Sequence, residues 1–239
     1  RLYFSRRTGL LTDYTMDGTE LIETGCALRP MFWRAPTDND FGAGQQKRFE
    51  LWKNPEMRLK SLKDSTLADG NILVSSVFEL PKLFATLTVD YTINGAGEIA
   101  VSQKLTTDPT KEKMPNLFRF GMELTLPETF RIDFYGRGPW ENYIDRQGAA
   151  RIGRYAQSVD DQYWGYIRPQ ESGNKSDLRW WQLTNRDGAG IRIESDAPFE
   201  ASALPYAMED LDDGPGKDQR HSGSLVKRDF VTLNIASRQ

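Results

Sequence analysis

Six carboxylates fall in two polar stretches of this chain: Asp38 and Asp40 in the first, Glu141, Asp145, Glu171 and Asp177 in the second. A pair of carboxyl groups held about 5 to 9 Å apart is what glycoside hydrolysis requires, one as acid and one as nucleophile or base. Arginines lie beside them in sequence, Arg34, Arg137, Arg146 and Arg179. Carboxylate–guanidinium pairs also order loops that lack backbone ladders, and the balance of the pattern favours that structural use. Other chemistries lack parts. His221 is the only histidine, it sits in "DQRHSG", and no Gly-x-Ser-x-Gly elbow accompanies it, so a Ser-His-Asp relay is not assembled and a solvated or hydrogen-bonded loop histidine is expected. One His and one Cys do not make a typical zinc site, and no Gly-rich phosphate loop follows a strand.

The polar stretches have a common design. In "FWRAPTDNDFG" (32–42), Pro36 keeps Ala35 extended, Asp38 and Asn39 suit an Asx-type turn, and Gly42 allows a reversal. The expectation is a stiff loop anchored by Phe32 and Trp33. "GRGPWENY" (136–143) repeats the scheme, with glycines around a proline, then an aromatic, an acid and an amide. Such loops need a rigid frame. Alternating β-branched and aromatic runs supply it at 72–80, 85–93 and 98–106, with turns at Pro81-Lys82 and Asn94-Gly95. Hairpins are expected over 10–22 around Asp17-Gly18 and over 178–195 with Asp187-Gly188 near the tip. Further strands are read at 117–126, 130–136 and 225–235, and a short helix over Gln45 to Leu51. Trp180 and Trp181, adjacent on a strand, must face opposite sides. Ten or more strands make a large antiparallel sandwich, counted as one domain over 1–239.

The 239 residues suffice for a core without staples, and 38% hydrophobic with 27% charged content suits a globular chain. A formal net charge of -3 with dispersed basic residues gives no nucleic-acid footprint, and no apolar run reaches membrane-spanning length. Cys26 is the sole cysteine, which excludes an internal disulfide and leaves the compartment open. Both termini read as cut from something longer, since the chain opens on Arg-Leu-Tyr-Phe and closes on a strand-like run.

Three long motifs in one order, "FWRAPTDNDFG", "YGRGPWENYIDR" and "YIRPQESGNKSDLRWWQLT", followed by "RHSGSLVKRDFVTLNI", resemble the C-terminal small domain of β-galactosidases of glycoside hydrolase family two. The resemblance covers nearly the whole chain. It implies an all-β supersandwich of the galactose-mutarotase-like type, whose parent hydrolyses terminal β-galactosides using glutamates of a preceding barrel. By that resemblance this chain carries no catalytic residue. Arg34, Asp38, Asn39 and Asp40 would form the rim of the galactoside pocket. Trp33, Pro36, Gly138, Pro139, Glu141, Asn142, Tyr143, Asp145 and Arg146 would order the loops. No metal or cofactor is implied here, Mg and Na belonging to other domains of the parent. Expected partners are those domains and the galactoside, in a homo-oligomer. A Gly-rich segment with a sugar-stacking tryptophan, usual in the family, is expected to fall beyond Gln239. Two other readings are an autonomous carbohydrate-binding module using an exposed Trp140, Trp164 or Trp181, and, less favoured with one histidine, a mutarotase-like enzyme.

Overall fold

In the computed structural model, residues 1–108, 110, 114–127, 131–216 and 220–237 are described. Period-two burial builds the smaller of two facing sheets. Its strands are β5 (Arg58–Thr66), β6 (Ile72–Leu80), β7 (Ala85–Ile93) and β8 (Ile99–Thr107), in that order and antiparallel throughout. Val74, Ser76, Phe78 and Leu80 of β6 and Leu87, Val89 and Tyr91 of β7 turn inward. The larger sheet holds β4 (Arg29–Met31), β9 (Gly121–Leu126), β10 (Arg131–Gly138), β11 (Arg151–Ser158), β12 (Lys175–Thr184), β13 (Gly190–Leu204) and β14 (Val231–Ser237), ordered β11-β10-β12-β13-β14-β9-β4. Ile132, Phe134, Trp181, Leu183, Ala203 and Leu233 from this sheet join the β6 and β7 residues in one buried apolar cluster. Two antiparallel sheets sharing a single core make the expected all-β sandwich. A small third sheet joins β1 (Leu2–Phe4), β2 (Leu11–Met16) and β3 (Thr19–Glu20).

The hairpin signals were sound. Asp17 and Gly18 both take positive φ, 47° and 81°, between β2 and β3, and the β12–β13 hairpin closes near Gly188 at φ 82°. Other boundaries differ. The strand expected at 117–126 begins only at Gly121, because Phe118 packs between Trp33 and Phe49 while the Arg119 side chain is drawn into a buried ion pair. The strand expected at 225–235 begins at Val231, Arg228 instead donating to Asp210 at 2.6 and 2.9 Å. Phe130, the first residue of the strand expected at 130–136, lies outside the described residues. β5 and β11 were not foreseen. Both are edge strands, largely exposed on both faces, so they lack the apolar alternation that marks a strand buried on one side.

Candidate functional site

The first polar stretch is not the Asx-turn loop expected. Thr37 is the N-cap of a short helix, α1 (Asp38–Ala43). Its hydroxyl accepts from the Asp40 N–H at 3.3 Å, and the Asp40 carboxylate accepts from the Thr37 N–H at 2.7 Å. This reciprocal capping box satisfies two of the donors a helix start leaves open. The reversal occurs at Gly44 with φ 67°, not at Gly42, which lies within α1. A second short helix, α2 (Gln45–Arg48), and a 3-10 turn at Glu50–Trp52 follow, close to the helix expected there. Phe32 and Trp33 anchor the stretch as foreseen. Both are buried, Phe32 against Trp52 at 5.4 Å and Trp33 against Phe118 at 4.7 Å between ring centroids, and Trp33 Nε1 donates to Asp212 at 3.0 Å.

Asp40 is buried and does more than cap. Arg34 grips it with two bonds, Nη1 at 2.5 Å and Nη2 at 3.0 Å, while the guanidinium lies 4.5 Å over the Phe118 ring. Burial by itself would raise the Asp40 carboxyl. The Arg34 bonds and charge, with the Thr37 donors, outweigh it and hold the group below its ordinary value. A carboxyl held ionised in this way is unsuited to act as a general acid. Asp38 and Asn39 are exposed. Of the four rim candidates, two therefore face outward and two lock together beneath them.

The second polar stretch is stitched by one amide and one acid. Asn142 is almost wholly buried. Its Nδ2 donates to the carbonyls of Arg137 and Trp140 at 3.0 Å, and its Oδ1 accepts from the Ser176 N–H at 3.0 Å. The Asn142 carbonyl accepts from Asn174 Nδ2 at 2.9 Å. Glu141 accepts from Arg146 at 2.8 Å, from the Gly173 N–H at 2.8 Å and from the Tyr166 hydroxyl. Burial and that bond to Glu141 push the Tyr166 phenol up to about 12. Gly138 and Pro139 join β10 to this segment, Gly138 packed so closely that a Cβ would meet Phe134 and Tyr155 at 2.9 Å. Tyr143 lies under Arg146, 5.0 Å from guanidinium to ring. Its hydroxyl is buried without a hydrogen-bond partner, and burial, reinforced by Glu171 and Glu141, raises it well above the ordinary phenol. Asp145 is exposed.

Loop-ordering ion pairs thus account for most of the six carboxylates: Asp40 with Arg34, Glu141 with Arg146, Glu171 with Arg119 at 2.7 Å, and Asp177 with Arg137 at 2.5 Å. Arg179 instead donates to the Asp177 carbonyl. Asp38 is met by the Gln170 amide, whose Nε2 donates to Oδ2 at 3.2 Å while its Oε1 accepts from the Asp38 N–H at 3.3 Å.

Sequence reading missed Arg119, Gln170 and Lys175. Arg119 carried a signal, a charge inside the aromatic run "LFRFG". Lys175 is buried among Gln162 Oε1 at 3.0 Å and the Gly173 carbonyl at 3.1 Å, and burial pulls its ammonium down to about 8. Trp181, offered as an exposed platform, is 0% exposed and stacks on Phe134 at 5.1 Å. Its inward direction follows from the pairing of β12 with β10, which sets Trp181 opposite Phe134. Trp140 and Trp164 are 60% and 53% exposed and meet edge-on at 6.4 Å. His221 is an exposed loop residue whose Nδ1 accepts from the Gly223 N–H at 2.9 Å, as expected. Among the described residues, no three His, Cys, Asp or Glu side chains converge on a metal-sized space, and no helix is long and apolar enough to cross a membrane.

Known proteins are similar to this chain along its whole length. The family model described as "Beta galactosidase small chain" matches residues 1–239. A beta-galactosidase of Priestia megaterium is 34% identical over 238 residues, covering 99% of this chain and 22% of its own length. That of Lactobacillus delbrueckii subsp. bulgaricus is 38% identical over 185 residues, 76% of this chain and 18% of its own. That of Streptococcus thermophilus is 30% identical over 242 residues, 100% of this chain and 23% of its own. The chain spans between 18% and 23% of the length of these curated relatives. With its full length matched by the family model, the chain belongs to the β-galactosidase small-chain family.

Proposed function

We propose that this chain is the non-catalytic small-chain part of a β-galactosidase that hydrolyses terminal non-reducing β-D-galactosides, and that it lends the rim of the sugar site. The observation that carries the reading is the construction of the RAPTDND segment. Asp38 and Asn39 stand exposed on a helix start that the buried Arg34–Asp40 pair and the Thr37 cap hold rigid. A fixed pair of polar side chains suits recognition of sugar hydroxyls, and its contribution is positioning and exclusion of water rather than proton transfer. Other domains of the parent enzyme are the partners, consistent with the small share of each relative that the chain spans. They supply the catalytic carboxylates and any Mg or Na requirement, and they complete the homo-oligomer.

The test uses the full-length enzyme carrying this sequence and a chromogenic β-galactoside. Asp38→Asn keeps an oxygen for Gln170 and removes the charge that a sugar hydroxyl would meet. KM is expected to rise about ten-fold or more. The isolated 239-residue chain is expected to give no turnover. Unchanged kinetics in Asp38→Asn defeats the rim assignment, and turnover by the isolated chain defeats the non-catalytic one. The exposed Trp140 and Trp164 favour a second reading, autonomous carbohydrate binding. Tryptophan fluorescence of the isolated chain during galactose titration separates the two readings.

A further inference from the structure

We infer that Gln170 is a positioning residue for the sugar-site rim, fixing the Asp38 carboxylate from a loop more than a hundred residues away. The inference rests on the proposed rim role of Asp38. Gln170 is almost fully buried, and its amide is turned toward the start of α1. Both ends face Asp38, Nε2 donating to Oδ2 at 3.2 Å and Oε1 accepting from the main-chain N–H at 3.3 Å. Nε2 makes one further bond, at 3.4 Å to the Arg168 carbonyl. Two bonds to one residue, one to backbone and one to side chain, fix a carboxylate's direction as well as its place.

The clamp is itself held from behind. Glu171, the next residue, is buried in an ion pair with Arg119 at 2.7 Å. Two residues further on, the Gly173 N–H is bound by Glu141 at 2.8 Å. Gln170 is thus fixed on the sandwich side, while the residue it clamps is exposed at the start of α1. Its amide geometry is specific to this task. A shorter side chain would not reach both Asp38 groups. An acid would serve only while protonated, its carbonyl accepting from the N–H and its hydroxyl donating to Oδ2 as the amide does. Once ionised, it would set two carboxylates against each other.

That difference gives the experiment, made on the full-length enzyme with a chromogenic β-galactoside. Gln170→Ala should raise KM roughly five- to ten-fold with kcat within about two-fold, the signature of lost ground-state positioning. Gln170→Glu preserves shape and makes the effect depend on pH. Two carboxyls in contact share a proton, so one titrates well above the ordinary carboxyl range. The ratio of Gln170→Glu to wild-type KM should sit near one at low pH and rise several-fold as that shared proton is lost. A role in folding alone would give no such pH-dependent ratio. Asp38→Asn, run in parallel, separates the two claims. If Asp38→Asn raises KM and Gln170→Ala does not, or if the Gln170→Glu ratio stays flat with pH, the clamp is refuted and the rim stands. If Asp38→Asn leaves KM unchanged, the rim reading falls and the clamp with it.

Discussion

Replacing Asp40 by Asn removes one charge and one acceptor while keeping the shape of the side chain. The Asp40 carboxylate takes four bonds, from Arg34 Nη1 at 2.5 Å and Nη2 at 3.0 Å, from the Thr37 N–H at 2.7 Å and from the Thr37 hydroxyl at 2.9 Å. An amide has one oxygen, so its NH2 must face a donor, and the Arg34 guanidinium loses its counter-charge. Breaking a fully buried pair costs about 3 to 5 kcal/mol. The Arg34 side chain is 21% exposed and keeps its contact with Phe118, so we place the loss near the lower limit, about 3 kcal/mol. For a domain of this size that lowers Tm by roughly 6 to 12 °C. The sign with pH follows from the depressed carboxyl. Its stabilisation is fully present above the unfolded-state value of 3.8 and is lost as pH falls through the lower folded-state value. Differential scanning calorimetry of wild type and Asp40→Asn from about pH 7 toward about pH 3 should therefore show the gap between them closing at the acid end. A gap under about 2 °C at neutral pH, or one independent of pH, refutes the role assigned to the pair.

Lys175 gives the same sign of pH dependence, at the alkaline end. Its folded value near 8 lies below the 10.5 of the unfolded chain, so between them only the unfolded state holds the proton and stability rises with pH. Lys175→Gln should flatten the rise in Tm that wild type shows from about pH 8 to about pH 10, and parallel curves for the two proteins would count against burial of the charge. At Gly121 a Cβ would lie 1.9 Å from the Ile235 carbonyl on the neighbouring strand. Gly121→Ala should destabilise by about 2 kcal/mol or more, and an unaltered Tm would contradict the β9–β14 register. Trp181→Ala should cost about 3 to 5 kcal/mol, whereas Trp140→Ala, on an exposed ring, should stay within about 0.5 kcal/mol in urea unfolding. Equal losses would show that the two faces have been misassigned.

The frame was legible where burial is one-sided. "ILVSSVFEL" and "ATLTVDYTI" alternate because β6 and β7 bury one face each, and Asp17-Gly18 announces its turn through residues that tolerate positive φ. Legibility failed where a segment is too short to have a period. α1 has six residues, and its capping Thr37 and Asp40 read equally well as turn formers. It failed again at β5 and β11, whose pairing is imposed by a neighbour rather than by their own pattern. For the site, the residue types were visible and the partners were not. The sequence offered Arg146 to Glu141 at short range, but Glu171 finds Arg119 from 52 positions away and Asp38 finds Gln170 from 132. The Trp180–Trp181 alternation was visible as well, while the choice of inward face awaited the register with β10.

The Asp38–Gln170 clamp also sets a clock on biosynthesis. Asp38 leaves the ribosome 132 residues ahead of the side chain that holds it, which at 5 to 20 residues per second is a wait of roughly 7 to 26 s. Trp33 waits longer for Asp212, 179 positions on. Through that interval α1 has its own cap and the Arg34–Asp40 pair but not the Gln170 clamp, and a six-residue helix is not stable alone. The Asp38–Gln170 contact therefore forms only after β10, β11 and the loop beyond them have been made, so a ribosome that stalls midway leaves a nascent chain with strands to pair and the start of α1 unclamped.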